Sequence, residues 1–372
     1  MVHDVEETIN RVISGIENEI DRQKKLNENN FDMGDIMHRF SSDIVMRCLY
    51  KQSDHINLKL HEECPNIKIL EGGLWEFQNN LLIKYSFVIP SMRKIVDFVS
   101  YHLHPSGRWR KEIMDILRSR ARTVLEAHKQ VEELRQKNCK LEDENNLILK
   151  NGSKFNRSLI DSIVMQFYNG KLTKREFLNS SAFLFNAADK TVSDSLVYTL
   201  YELAKHLDIQ ETLRKSIVKD GVESEYLSWV INESLRLLPV VTGGCSRTVS
   251  EEIHLPGGDI MPAGSLLITP LYLIHRLKKY WGEDADLFKP DRWAKANQFH
   301  PCQYMPFGAG VRTCLGKDFA MFQMKMLLGA LLTRYRFTCT KENVNPHEFY
   351  SPILTFLLFD NPIVLSIERL QA

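Results

Sequence analysis

Residues 307–316 read Phe-Gly-Ala-Gly-Val-Arg-Thr-Cys-Leu-Gly, and an apolar helical stretch at about 315–335 follows directly. The segment reads as a glycine-rich loop running into a helix, with Arg312 two residues before Cys314. Glycines such as Gly308 and Gly316 let the backbone approach a flat group closely. Amides at a helix N-terminus point at the sulfur and favour its thiolate. The planar fork of Arg312 suits a carboxylate. The seven cysteines, at 48, 64, 139, 245, 302, 314 and 339, are sparse and form no CxxC pair. A disulfide framework and a four-cysteine zinc site are therefore not expected. A metal held by Cys314 must take its other ligands from elsewhere. A porphyrin supplies four and leaves one to the protein.

The full pattern F-x-x-G-x-R-x-C-x-G, with an apolar helix behind it, resembles the signature of the cytochrome P450 family. Other segments agree, in the family's order. Glu233-Ser-Leu-Arg236 sits on a helix stopped by Pro239, and the i, i+3 spacing puts both side chains on one face. Lys289-Pro-Asp-Arg292-Trp293 looks like the family's P-x-R-[FW] element. The resemblance implies that Glu233, Arg236 and Arg292 form a buried triad supporting the loop. It implies that Cys314 ligates the iron of haem b (iron protoporphyrin IX), and that Phe307, Gly308, Arg312, Gly316 and Ala320 contact the cofactor. Arg247 takes the family's propionate-binding place, and His275 is given a structural role.

The stretch 183–192, ahead of Tyr201-Glu-Leu-Ala204, resembles the family's oxygen-binding helix, [AG]-G-x-[DE]-T-[TS]. Counted back from Tyr201, Thr191 takes the alcohol position, hydrogen-bonding dioxygen and steering protons. Ala187 and Ala188 keep the helix flank small on the haem side. The chain departs from the pattern: Ala188 replaces a Gly, Val192 a hydroxyl residue, and Lys190 the acid, with Asp189 one place earlier. One residue is a turn of about 100°, so Asp189 cannot simply take the acid's direction. Lys190 either carries protons with a pKa lowered by burial or pairs with Asp189 or Asp194 and points away. Phe183, Phe185, Ala187 and a strand at 240–244 are read as pocket lining.

Outside these motifs the chain of 372 residues has 44% apolar and 26% charged residues, a globular composition. Forty-eight basic against 47 acidic residues leave a formal charge of +1, with no global drive toward nucleic acid. Val5, Ile9, Val12, Ile16 and Ile20 recur at helical spacing from the first residues. Further helices are expected at 33–50, 108–146, 156–169, 174–206 and 224–238. Short strands are expected at 245–249, 253–255 and 265–270, with turns at 256–258 and 262–264, and a terminal hairpin at 353–359 and 363–368. No apolar run is long enough to span a bilayer, and the acidic N-terminus is no secretory signal.

The expectation is thus a single domain over 1–372, mainly α with a small β portion. The resemblance makes it a cytochrome P450 fold lacking its N-terminal strands and first helices. The parts absent would include a membrane anchor and a W-x-x-x-R pair to the haem propionates, so weaker haem retention is expected. The implied activity is monooxygenation of a lipophilic small molecule with electrons from NADPH-cytochrome P450 reductase, cytochrome b5 being a second donor. Lys317 and Lys325 are offered as a reductase-facing pair. The implied place is the cytosolic face of the endoplasmic reticulum membrane, the mitochondrion being the alternative. Two rival readings stand beside it: a haem-thiolate isomerase or dehydratase of peroxides, and a truncated non-catalytic haem-binding remnant.

Overall fold

Val5, Ile9, Val12 and Ile16 are buried, on the one stripe that their spacing of three and four predicts. They belong to α1 (Val2–Leu26). A computed structural model of the protein describes residues 2–51, 60, 105–136, 159–243, 247–340 and 362–371. After α1 come β1 (Phe31–Asp32), α2 (Met33–Tyr50), α3 (Pro105–Gln136), α4 (Asp161–Tyr168), α5 (Lys174–Lys205), α6 (Leu207–Asp220) and α7 (Glu225–Leu237). The short strands β2 (Arg247–Thr248), β3 (Ile253–His254), β4 (Ile260–Met261) and β5 (Leu266–Leu267) follow. Two single-turn helices, α8 (Leu271–Ile274) and α9 (Lys278–Trp281), lead to α10 (Lys317–Leu332), β6 (Tyr335–Cys339) and β7 (Val364–Arg369). Among the described residues, 3₁₀ segments at Gly221–Glu223, Pro290–Gln298 and Gly310–Arg312 lie between them. The fold is mainly α with a small β portion.

The described residues form two compact units, one from residues up to 19 with 38–190, the other from 20–37 with 191 onward. The first has its own apolar core. Val45, Met46, Leu49 and Tyr50 of α2 meet Leu117, Ala121 and Val124 of α3, Val164 of α4, and Phe177, Ala182 and Phe185 of α5. Between α1 and α2 a buried carboxylate takes the place of apolar contact. Asp43 accepts from Thr8 Oγ1 at 2.7 Å, Arg11 Nη1 at 3.0 Å and Arg47 Nε at 2.8 Å. Such a burial is tolerable because several donors, two of them charged, meet the carboxylate.

In the second unit β1, β7 and β6 form an antiparallel sheet in that order, with Phe31 opposite Leu365 and Phe337 opposite Ile367. Tyr335, Phe337, Leu365 and Ile367 are buried, and alternate with outward Arg336, Thr338, Ser366 and Glu368. Gln210 of α6 serves the outer side of β6. Its Nε2 donates to Phe337 O at 2.9 Å, and its Oε1 accepts from Phe337 N at 3.1 Å. Arg214 adds bonds to the carbonyls of Leu332 and Tyr335. Gly329 of α10 is where that helix comes closest to the Gly221–Glu223 turn. A Cβ there would lie 2.9 Å from Val222 Cγ1, so a side chain would force the two apart.

Two expectations change. The last helix was placed at 315–335, but α10 runs only Lys317–Leu332, and Tyr335 opens β6. The sequence Tyr-Arg-Phe-Thr-Cys alternates with period two, which is the strand signal that the apolar run before it masked. The described partners of β7 are β6 and β1, while 353–359, the other arm of the expected hairpin, lies outside the described residues. So do residues 137–158, the end of the expected long charged helix.

Candidate functional site

Helix α7 is launched by Ser224, whose Oγ accepts from Leu227 N at 3.1 Å, a standard N-cap. The cap sets the phase that turns Glu233 and Arg236 inward, both fully buried. Arg236 Nε and Nη2 bind Glu233 Oε2 and Oε1 at 2.9 and 2.8 Å. The remaining donors of Arg236 reach the carbonyls of His275, Ala285 and Leu287, at 2.9, 2.6 and 3.1 Å. From the 3₁₀ segment Pro290–Gln298, Arg292 Nε donates to Glu233 Oε1 at 2.8 Å and Trp293 Nε1 to Oε2 at 3.0 Å. Lys289 N also donates to Oε1, at 2.9 Å. Asp284 holds the other end of Arg292 at 3.2 Å. The structure therefore brings Glu233, Arg236 and Arg292 into one satisfied network, with the Arg236 guanidinium 4.9 Å from the Trp281 ring centroid.

His275 carries that network toward the cysteine loop. Its carbonyl takes Arg236 Nη1, and its ring Nε2 accepts from Met305 N at 3.0 Å. Accepting at Nε2 places the single proton on Nδ1. The ring packs on Tyr304, at 5.4 Å between centroids, and Tyr304 in turn packs on Trp293 at 4.5 Å. Met305 is where the loop begins.

The loop is closed mainly by backbone bonds, with Thr313 Oγ1 also donating to Gly310 O at 2.7 Å. Met305 O accepts from Gly308 N at 3.0 Å, Gly310 O from Thr313 N at 3.0 Å, and Phe307 O from Cys314 N at 2.8 Å. Gly308 and Gly310 have φ of +74° and +71°, the left-handed region, and a Cβ at Gly310 would meet no atom within 4 Å. Their glycine requirement is thus one of backbone conformation. Cys314 is exposed and stands three residues ahead of α10, so it precedes the helix where the sequence reading had it open one. Val311 and Leu315 beside it expose 104% and 91% of their surfaces. One soft sulfur donor among exposed apolar side chains fits a flat, apolar, metal-bearing group that brings its own equatorial ligands. Among the described residues there is no cluster of three His, Cys, Asp or Glu that would hold a metal unaided.

The other expected site residues are spread over both units. Thr191 is half-buried on α5, and its carbonyl accepts from Ser195 Oγ at 2.7 Å. Ala187 is exposed, while Ala188 packs against the core of the first unit. Asp189 is buried and Lys190 half-buried. Arg247 is exposed on β2, opposite Leu267 of β5. Arg312, Gly308 and Gly316 are exposed, Phe307 and Ala320 half-buried. Lys317 is exposed and Lys325 half-buried. Phe183 is exposed, but Phe185 is 2% exposed within the first unit's core, so it lines no open surface. Residues 240–243 carry one bridging residue, Val241, where a strand was expected, and residue 244 lies outside the described residues.

Two buried imidazoles give a pH prediction. Burial, with Lys190 adding to it, pulls His38 down to about 3. Burial, with Arg236 adding to it, does the same to His275, again to about 3. Both are neutral in the fold, so below about pH 6.5 the unfolded chain binds more protons and stability falls with pH. The loss runs from about 6.5 down toward 3, by up to about 1.4 kcal/mol per pH unit for each histidine. Glu202, raised by burial, acts in the opposite sense. Urea unfolding at intervals between pH 7 and 5.5 should show a declining free energy; a flat profile would contradict the neutral-imidazole assignment.

A family model described as cytochrome P450 matches residues 2–366. The chain belongs to the cytochrome P450 family. Among curated relatives, cytochrome P450 3A5 of Homo sapiens is 35% identical over 209 residues, 53% of this chain and 41% of the human protein. Cytochrome P450 3A6 of Oryctolagus cuniculus is 30% identical over 322 residues, 81% of this chain and 60% of the rabbit protein. Cytochrome P450 3A40 of Oryzias latipes is 28% identical over 374 residues, 96% of this chain and 68% of the fish protein. The chain thus spans well under two thirds of the human protein's length and about two thirds of the fish one's.

Within this P450 chain some of the network escaped the motif reading. His275 Nε2, Trp293 Nε1, Asp284 and the backbone of Lys289 all serve it. The acidic run Glu283-Asp284 ahead of Pro290 is the one sequence signal that pointed toward Asp284. No described helix is long and apolar enough to cross a membrane.

Proposed function

We propose that this P450 chain is a haem-thiolate monooxygenase that inserts one oxygen atom from O2 into a lipophilic substrate, using electrons from NADPH passed on by NADPH-cytochrome P450 reductase. The observation that carries this is Cys314, exposed on a loop whose first residue hangs from His275 and so from the Glu233–Arg236–Arg292 network. When bound, haem b supplies the binding and activation of O2, and thiolate ligation favours O–O cleavage.

The chain's own residues do the rest. Cys314 holds the iron through its thiolate. Val311 and Leu315, exposed beside it, would offer apolar surface to the flat group. Arg312 and Arg247 offer guanidinium forks to the haem carboxylates. Phe307, Gly308, Gly316 and Ala320 would contact the cofactor around Cys314. The Thr191 hydroxyl holds and passes a proton on the oxygen side, and Lys190 exchanges it with solvent. The family match over nearly the whole chain supports reading 1–372 as one P450 domain. Lys317 and Lys325 face the reductase, and cytochrome b5 is a second donor. The place read for it is the cytosolic face of the endoplasmic reticulum membrane, the mitochondrion being the alternative.

The test is turnover under ¹⁸O2 with NADPH and reductase, using a steroid and a long-chain fatty acid as probes. One labelled oxygen in the product is expected, with product lost in Thr191→Ala while NADPH consumption continues. A haem-loaded protein that yields no labelled product contradicts the proposal. A second reading, a peroxide isomerase or dehydratase, is favoured by the engagement of the Asp189 carboxylate away from Thr191. Conversion of a fatty-acid hydroperoxide without NADPH selects it. Haem binding with neither activity selects a non-catalytic remnant.

A further inference from the structure

Helix α2 presents three polar side chains to Asp189, all within the first unit. Ser41 Oγ donates to the backbone carbonyl of Asp189 at 2.8 Å. Ser42 Oγ donates to its Oδ1 at 3.0 Å, and His38 Nε2 lies 3.4 Å from its Oδ2. Residues 38, 41 and 42 are one stripe of α2, at spacings of three and four. All four residues are buried. A helix contact that needed only burial would be met by apolar side chains. Burying a carboxylate is unfavourable without donors, and here α2 supplies them.

Asp189 precedes Thr191 by two residues, about 200° around α5, so the held carboxylate lies on the side of the helix opposite Thr191. The carbonyl that Ser41 binds is also an acceptor in the helix ladder, for residue 193. Two residues on, the carbonyl of Thr191 accepts from Ser195 Oγ at 2.7 Å. The helix at Asp189, two residues before Thr191, is therefore held in part from α2. His38, neutral because burial pulls it to about 3, stands beside the carboxylate without a charge of its own.

We propose that Ser41, Ser42 and His38 are positioning residues that fix, through Asp189, the turn of α5 bearing Thr191, and that Asp189 itself transfers no proton. The proposal rests on the monooxygenase reading only for the role of Thr191. Ser42→Ala, the double variant Ser41→Ala/Ser42→Ala and Ser42→Thr are compared in the haem-loaded protein by two readouts. In hydrogen exchange, amides 190–195 should exchange at least about tenfold faster in the double variant, with the other helices unchanged. In turnover, hydrogen peroxide released per NADPH should rise at least about threefold in Ser42→Ala, with melting temperature held. Ser42→Thr, which keeps the hydroxyl, should restore both. Unchanged exchange at 190–195 overturns the clasp. Faster exchange without a change in peroxide release, or a failure of Ser42→Thr to restore it, overturns its positioning role. If the wild-type protein oxidises no NADPH, the monooxygenase reading fails, and the exchange arm alone still decides whether α2 holds this turn.

Discussion

Glu233→Ala lowers the stability of the second unit by about 3–5 kcal/mol and abolishes haem uptake. The carboxylate accepts from both Nε and Nη2 of Arg236, from Arg292 Nε, from Trp293 Nε1 and from Lys289 N. Its removal strands a fully buried guanidinium and a second, nearly buried one, and frees the 3₁₀ segment Pro290–Gln298 from α7. Arg236→Ala has an effect of the same size by the converse route. It leaves Glu233 charged and buried, and it deprives the carbonyls of His275, Ala285 and Leu287 of their donor. Arg292→Lys should cost less, because Arg292 is nearer the surface and an ammonium can still pair with Glu233 at one point. Urea unfolding with haem absorbance as a second probe orders the three variants. A loss below about 1 kcal/mol in Glu233→Ala would place the network among ordinary surface pairs and contradict this account.

Cys314→Ala behaves in the opposite way: stability of the apoprotein stays within about 0.5 kcal/mol while haem binding through sulfur is lost entirely. The side chain is exposed, so removing it opens no cavity. The bonds that shape the loop, from Cys314 N to Phe307 O and from Thr313 N to Gly310 O, are backbone bonds that alanine keeps. His275 still receives Met305 N. The pair of results, a structural collapse at Glu233 and a silent one at Cys314, separates the support of the site from its chemistry. Each is read by the same unfolding curve and the same absorbance titration.

The residues that made the fold legible are those whose spacing is dictated by local geometry. The stripe Val5–Ile9–Val12–Ile16, the cap and proline stop around α7, and the glycine loop before Cys314 all follow from rules that act over a few residues. The triad was legible because three short motifs occur in order, although none alone is specific. What escaped was set by tertiary partners. Nothing local to Asp189 says that α2 will supply Ser41, Ser42 and His38, 147 to 151 residues away in sequence. Phe185 was read as pocket lining from its place near Thr191, yet its helical phase points it into the core of the first unit. Strand β6 was hidden behind the apolar end of α10, where the period changes from helical to alternating within three residues.

The central claim is that Cys314 supplies the axial ligand of a haem. The most direct measurement is the difference spectrum of the reduced, haem-loaded protein with and without carbon monoxide, for wild type and Cys314→Ala. The account predicts the strongly red-shifted Soret band of thiolate ligation in the wild type and its complete absence in Cys314→Ala. A wild-type spectrum without that band, or one that survives the loss of Cys314, would contradict it.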